Sequence, residues 1–292
     1  MLITGAICPL TQVMAFASKS SSVASEQSER LSPWTSRWKE SRIGWHEGDV
    51  NMALKKYAHL IVPPAEEEAP SCSDSSSSSD GVSVFVPLCG KTVDMAFFAT
   101  QPNVAHVVGI DGVRKALDEF AEEHSALEIK QQEQDDTEGE TTTATTTTTT
   151  HFERFVGKKI TLLKGDFFDM ERAGFANKFD VVWDRASLVA IQPTLREEYV
   201  KTIGTVAKPG ASILLVTFDR REGTLEGRKA GPPFSIDQAE VQRLFGSADW
   251  VESIQLVDEF DTFVTDPSRK ERFQSSGVTS LFEMVFLIKA KA

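Results

Sequence analysis

The feature that most constrains this chain is a series of short, almost unbroken apolar runs separated by stretches of helical length. Val82 to Val86 leads into Pro87-Leu88-Cys89-Gly90-Lys91 and a helical stretch from about Thr92 to Ala99. His106 to Asp111 then precedes a second helical stretch, Val113 to His124. Ile160 to Leu163, Phe179 to Asp184 and Ala211 to Phe218 follow, with a helix around Leu195 to Val206 between the last two. Strands that are apolar at nearly every position are covered on both faces, and the intervening helices supply the crossovers that parallel pairing requires. Ser235-Ile236-Asp237-Gln238 reads as a capping box opening a helix to Phe245, with Ser235 at the N-cap. Ile254 to Phe260 and Leu281 to Ile288 lack a clear crossover helix between them and read as an antiparallel pair. The pattern predicts an α/β fold: a doubly wound, mostly parallel seven-stranded sheet with helices on both faces and a reversed edge strand.

Composition narrows the partners. The 292 residues carry 31 Lys plus Arg against 43 Asp plus Glu, a formal net charge of −12, so a nucleic acid or anionic membrane partner is not expected. Three cysteines, Cys8, Cys72 and Cys89, cannot form a disulfide framework, and no apolar run has the length to span a bilayer. A cytoplasmic monomer is the expectation. Residues 1–30 read as a separate tail, for which organelle targeting is the alternative; the scarcity of Arg and Lys favours a plain tail. Residues 31–292 form the expected catalytic domain, interrupted by low-complexity inserts at about 64–80 and 127–150. The Ser- and Thr-rich stretches there cannot bury a core, and both inserts are expected to lie away from the strand exits.

Doubly wound sheets bind ligands outside the carboxyl ends of their strands, near the switch point beside the first strand. Those exits are Pro87 to Thr92, Asp111, Gly165-Asp166-Phe167 and Asp184-Arg185. Asp111 stands about 20 residues beyond Gly90, the place where a carboxylate accepts from a ribose diol. Asp166 can accept from an adenine amine, with Phe167 flanking the ring. Gly90-Lys91-Thr92 raises the alternative of a phosphate-binding loop in a nucleotide-binding protein. The full motif, however, needs glycine where Phe85 stands, and a dinucleotide Gly-rich fingerprint is also absent. A nucleoside with a small amino-acid tail suits a turn with a single glycine, which points to S-adenosylmethionine. The five histidines make no metal-ligating pair, so no metal is expected, and Cys89, without a base partner, reads as a packed small residue.

Several ordered motifs resemble the thiopurine S-methyltransferase family, within the Rossmann-like class I methyltransferases. They are Trp34-x3-Trp38, Arg42-Ile43-Gly44-Trp45-His46, Val86-Pro87-Leu88-Cys89-Gly90-Lys91-Thr92-Val93-Asp94-Met95, Gly165-Asp166-Phe167-Phe168, Trp183-Asp184-Arg185-Ala186-Ser187-Leu188-Val189-Ala190-Ile191 and Gly231-Pro232-Pro233-Phe234. The resemblance implies S-adenosylmethionine as cofactor and S-adenosylhomocysteine as product. It implies an N-terminal cap with Trp34 and Trp38 on the cofactor, Leu88 and Gly90 at its methionine side, Asp111 at the ribose, and Asp166 with Phe167 at the adenine. Arg185 would close the cofactor and substrate region, Trp45 would touch the substrate, and Arg272, placed by its spacing to Gly277, would face the acceptor. The implied substrate is a small aromatic or heterocyclic thiol; selenium or tellurium species, halide and aliphatic thiols are the alternative acceptors. Trp45 stands where relatives carry Phe, which narrows the acceptor side.

Overall fold

The computed structural model describes residues 27–64, 81–132 and 152–292. Most of the tail at 1–30 and of the inserts expected at 64–80 and 127–150 therefore lies outside the described residues. The chain divides into two compact units, Met1–Gly44 and Trp45–Ala292. In the first, helix α1 spans 27–39 and places Trp34 and Trp38 one turn apart, with the Arg37 guanidinium 5.1 Å from the Trp34 ring.

The second unit is an α/β domain whose elements are α2 (Met52–Tyr57), β1 (Val82–Val86), α3 (Asp94–Thr100), β2 (Val104–Asp111), α4 (Arg114–Glu123), β3 (Lys130–Gln131), β4 (Glu153–Gly157), β5 (Ile160–Lys164), β6 (Phe179–Arg185), α5 (Arg196–Val206), β7 (Ala207–Gly223), α6 (Leu225–Lys229), α7 (Gln238–Gly246), β8 (Val251–Asp261), α8 (Thr262–Thr265), α9 (Pro267–Gln274) and β9 (Val278–Ala290). The sheet order is β3-β4-β5-β2-β1-β6-β7-β9-β8. The five strands from β5 to β7 are parallel, and β9 runs antiparallel to both β7 and β8. Two strands are reversed, each one place inside an edge: β9 between β7 and β8, and β4 between β3 and β5; the edge strand that the sequence pattern predicts to be reversed is not.

All seven expected strands are present, and β3 and β4 bring the described total to nine. The extra pair escapes a hydrophobicity pattern because both β3 residues are exposed and only Phe155 of β4 is buried. Residues 127–132, expected in an insert, instead close a 3-10 turn and form β3. Glu153 pairs with Lys164, the last residue of β5, so the segment leading into β4 starts at the carboxyl-end rim of the sheet. The insert itself lies outside the described residues; its described flanks are Gln132, after β3, and Phe152, before β4.

Two apolar layers explain why the runs are continuous. On one face Tyr199, Ile203, Leu244 and Phe245 of α5 and α7 pack over Phe85, Val182 and Leu215. On the other, Leu54, Met95, Phe98, Leu117 and Phe120 pack over Val84, Val107 and Trp183. Burying one such large side chain contributes roughly 1.5–3 kcal/mol. The cap of α7 falls two residues later than the capping box suggested. Asp237 accepts from the Glu240 amide at 2.8 Å, while the Ser235 hydroxyl accepts from the Arg220 amide at 2.9 Å. Both Ser and Asp suit an N-cap, and here Ser235 is committed to β7. Among the described residues no helix is long and apolar enough to cross a membrane.

Candidate active site

The exits of β1 and β6 meet as two turns held in unusual backbone conformations. Leu88 (φ 41°) and Ala186 (φ 65°) both sit in the left-handed region that non-glycine residues avoid, and Gly90 (φ 53°) completes the first turn. Such strain persists only where surrounding bonds over-determine it. Here the Cys89 amide donates to the Ile110 carbonyl at 2.8 Å, and the Ser187 hydroxyl donates to the Pro87 carbonyl at 2.5 Å, tying one turn to the other. Cys89 is buried, and desolvation, followed by the Asp111 charge, pushes its thiol well up, as suits a packing residue and not a nucleophile.

Asp111 closes β2 beside the first turn. One carboxylate oxygen accepts from the Gly90 amide at 2.9 Å and the other from the Val113 amide at 2.8 Å, which leaves each oxygen a further lone pair for a diol. Burial pushes its pKa up to about 6, against the lowering effect of those two amides. A ribose-binding carboxylate must be ionised to accept, so affinity for S-adenosylhomocysteine is expected to fall about tenfold between pH 7.5 and pH 5, as calorimetry at the two pH values would register. Stability has the opposite slope. Asp111 and Asp184 hold their protons to about pH 6 in the folded protein, whereas the ordinary value is 3.8. Folding therefore takes up protons across that window, and these two groups lower stability as pH rises through it. If Asp111 accepts from a ribose diol, Asp111→Ala is expected to cost about 1–3 kcal/mol of S-adenosylhomocysteine binding; equal affinity in the variant would rule out the ribose role.

Asp184, at the end of β6, is structural. It accepts from the Tyr199 hydroxyl at 2.8 Å and the Leu188 amide at 3.2 Å, which fixes the turn after it. Asp94 does the same between layers, accepting from the Trp183 indole at 2.9 Å and the Asn51 amide at 2.8 Å. Arg185 points away from Asp184. Its side chain is 6% exposed; it donates to the Trp45 carbonyl at 2.9 Å and pairs with Glu47, while its Nε is buried without a partner. An orphaned buried donor at a strand exit fits a ligand that brings an acceptor.

The structure thus brings together Leu88, Gly90 and Asp111 at one side of β1, and Trp45 and Arg185 at the other. Asp166 is half-buried after β5 and caps the following turn by accepting from the Phe168 amide at 3.1 Å. Phe167 corrects an expectation: its ring is in the core, stacked on Tyr199 at 4.7 Å and Phe85 at 6.3 Å, so no ring face is left to flank a base. Arg272 is exposed on α9, its guanidinium 5.3 Å from the Phe273 ring, and does not join Arg185. The arginine that does is Arg269, paired with Glu47 and with Glu283 at 2.8 Å. The sequence reading missed Arg269, Glu47 and Glu283. Glu283 left a signal, since a carboxylate inside the apolar run Leu281 to Ile288 needs a buried cation. Lys91, the residue on which a phosphate loop would depend, is committed to Glu119 at 2.9 Å and Glu123 at 2.6 Å, and only 11% of its side chain is exposed. Among the described residues no group of three or more His, Cys, Asp or Glu is placed to hold a metal ion.

The sheet order, the inserted reversed strand and the carboxylate at the end of β2 define an S-adenosylmethionine-dependent methyltransferase of the α/β class. A solved structure with this fold is the 1,6-didemethyltoxoflavin-N1-methyltransferase of Burkholderia thailandensis, determined with S-adenosylhomocysteine, at a TM-score of 0.51 and 14% identity, covering 100% of this chain and 94% of that one. The family model for thiopurine S-methyltransferase (TPMT) matches residues 30–291. A thiopurine S-methyltransferase of Nitrosospira multiformis is 32% identical over 258 residues, 88% of this chain and 97% of the relative. A probable thiopurine S-methyltransferase of Danio rerio is 28% identical over 261 residues, 89% of this chain and 95% of the relative. The chain belongs to the thiopurine S-methyltransferase family.

Proposed function

We propose that the protein methylates the sulfur of a small aromatic or heterocyclic thiol. The observation that carries this reading is Arg185: a buried guanidinium with one unpartnered N–H, at the strand exit next to the cofactor turn. Asp111 would hold the ribose, Leu88 and Gly90 the methionine side, and Asp166 with the backbone at Phe167 the adenine. For Trp34 and Trp38 the family resemblance carries the assignment. When bound, S-adenosylmethionine supplies an electrophilic methyl on a sulfonium, which passes to the acceptor sulfur by direct in-line displacement and leaves S-adenosylhomocysteine. An aromatic thiol is largely ionised near neutral pH, so the protein needs neither a strong general base nor a metal. Arg185 orients the anionic acceptor and Trp45 walls the acceptor side. For Arg272, on α9, the family resemblance alone carries the assignment to the acceptor. Catalysis then rests on holding sulfur and methyl about 3–3.5 Å apart and excluding water. The test is transfer of labelled methyl from S-adenosylmethionine to 6-mercaptopurine by the full-length protein. Product supports the reading; bound S-adenosylhomocysteine with no thiol methylated would overturn the acceptor class.

A further inference from the structure

One buried side chain joins the helix after the cofactor turn to the group that holds Arg185, and the reaction as described leaves it unused. Asn51, only 4% exposed, caps α2, its side-chain oxygen accepting from the Ala53 amide at 2.9 Å. Its other groups reach further. The backbone amide donates to Oδ1 of Asp94 at 2.8 Å, and the side-chain nitrogen donates to Oε2 of Glu47 at 3.0 Å.

Each of those carboxylates leads to one half of the site. Asp94 is the first residue of α3, the helix that follows the Leu88–Gly90 turn, and its second oxygen accepts from the indole of Trp183, two residues before Arg185 on β6. Glu47 accepts through Oε1 from both Arg185 and Arg269. It stands in the irregular stretch before α2 with 27% of its side chain exposed, so its rotamer freedom is removed only by the bonds at its two oxygens. Asn51 supplies the bond at Oε2. The choice of residue type answers to that bond and not to the helix: Ser, Thr and Asp cap about as well, but Asn alone among these carries its acceptor and its donor on two different atoms.

We infer that Asn51 is a positioning residue for methyl transfer, holding Glu47, and through it the Arg185 guanidinium, in register with the helix that the cofactor turn opens. This rests on the methyl-transfer reading above. The cap and the bridge can be separated by substitution. Asn51→Ser keeps an oxygen for the Ala53 amide but is too short to reach Glu47, and Asn51→Asp keeps the cap while setting a carboxylate opposite a carboxylate.

With 6-mercaptopurine as acceptor, Asn51→Ser is expected to lower kcat/KM about tenfold and Asn51→Asp by more, because Arg185 loses its alignment. S-adenosylhomocysteine affinity, measured by calorimetry, should stay within about twofold of the parent in Asn51→Ser, since Asp94 keeps its bond from the residue 51 amide. A role confined to capping α2 would give independent losses, so the decisive comparison is a double-mutant cycle: in a Glu47→Ala background, Asn51→Ser should lower kcat/KM by less than about twofold. A readout that needs no turnover is the buried, unpartnered Nε–H of Arg185, followed by NMR in the full-length protein saturated with S-adenosylhomocysteine. Its hydrogen exchange is expected to quicken about tenfold in Asn51→Ser. An exchange rate equal to the parent's overturns the inference, as do losses that simply multiply in the cycle. Failure of the methyl-transfer reading is recognised separately: exchange at Arg185 would quicken as expected while the parent protein methylated no thiol.

Discussion

Arg185→Ala is expected to lower kcat/KM for a thiol acceptor by about 10²–10³-fold, the range seen when a preorganised charged donor is removed from a reacting centre. The guanidinium is held on two sides, by the Trp45 carbonyl and by Glu47, so it arrives at the strand exit already oriented. The turn beneath it is fixed independently by Asp184, Tyr199 and the Ser187 bond to Pro87, and the variant should therefore melt as cooperatively as the parent. Arg185→Lys keeps the charge but loses the planar fork and should recover only part of the rate. Arg272→Ala, on an exposed side chain, is expected to cost less than about tenfold. Steady-state kinetics with a thermal melt on each variant check the set; kcat/KM within twofold of the parent for Arg185→Ala would remove this arginine from the mechanism.

Arg220→Met carries the largest expected loss of stability. Arg220, on β7, is 7% exposed and directs its guanidinium at three backbone carbonyls: Gly227 at 3.0 Å, Pro233 at 2.7 Å, and Ala230. It also lies 5.4 Å from the Phe273 ring. Burial without a carboxylate partner pushes its pKa down, yet the carbonyls keep the charge useful, since bonds to a charged donor contribute more than neutral ones. Removing it strands three carbonyls and is expected to cost about 3–5 kcal/mol, or roughly 10 °C in Tm. The connection it holds contains Gly231-Pro232-Pro233-Phe234, a segment open to reading as either a stiff lid or an ordinary stapled loop. The Phe234 amide donates to the Val189 carbonyl at 2.6 Å and the Arg196 guanidinium lies 5.6 Å from its ring, so the segment is stapled to the turn after β6. Differential scanning calorimetry of Arg220→Met decides the prediction, and a change in Tm of under 3 °C would contradict it.

How far the sequence was legible follows from the range of each interaction. Asp111, Leu88 and Arg185 could be placed because apolar runs mark strands and strands mark exits, all within a few neighbouring residues. The parallel core was readable for the same reason: burial on both faces leaves nothing polar to interrupt the run. The pair β3–β4 was not, because a two-residue exposed strand carries no hydrophobic pattern at all. The Glu47–Arg185–Arg269–Glu283 cluster was harder still. Arg269 and Glu47 are 222 positions apart, and they meet only because β9 inserts between β7 and β8 and brings α9 with it. Spacing to Gly277 selected Arg272, but α9 turns Arg269 inward and leaves Arg272 outside, a difference of three residues and less than one helical turn.

The two places where this chain carries additional length are inequivalent for anyone wishing to shorten it. Pro64 and Gly81 flank one of them, and Gly81 leads into the amino end of β1, on the rim opposite the strand exits. Gln132 and Phe152 flank the other beside Lys164 and Gly165. A Cβ added at Gly165 would come within 2.2 Å of the Phe152 ring, so the first described residue after that interruption is itself a wall of the exit that leads to Asp166. Trimming there reaches the rim that carries Asp166, and a shortened version of the enzyme should keep Phe152.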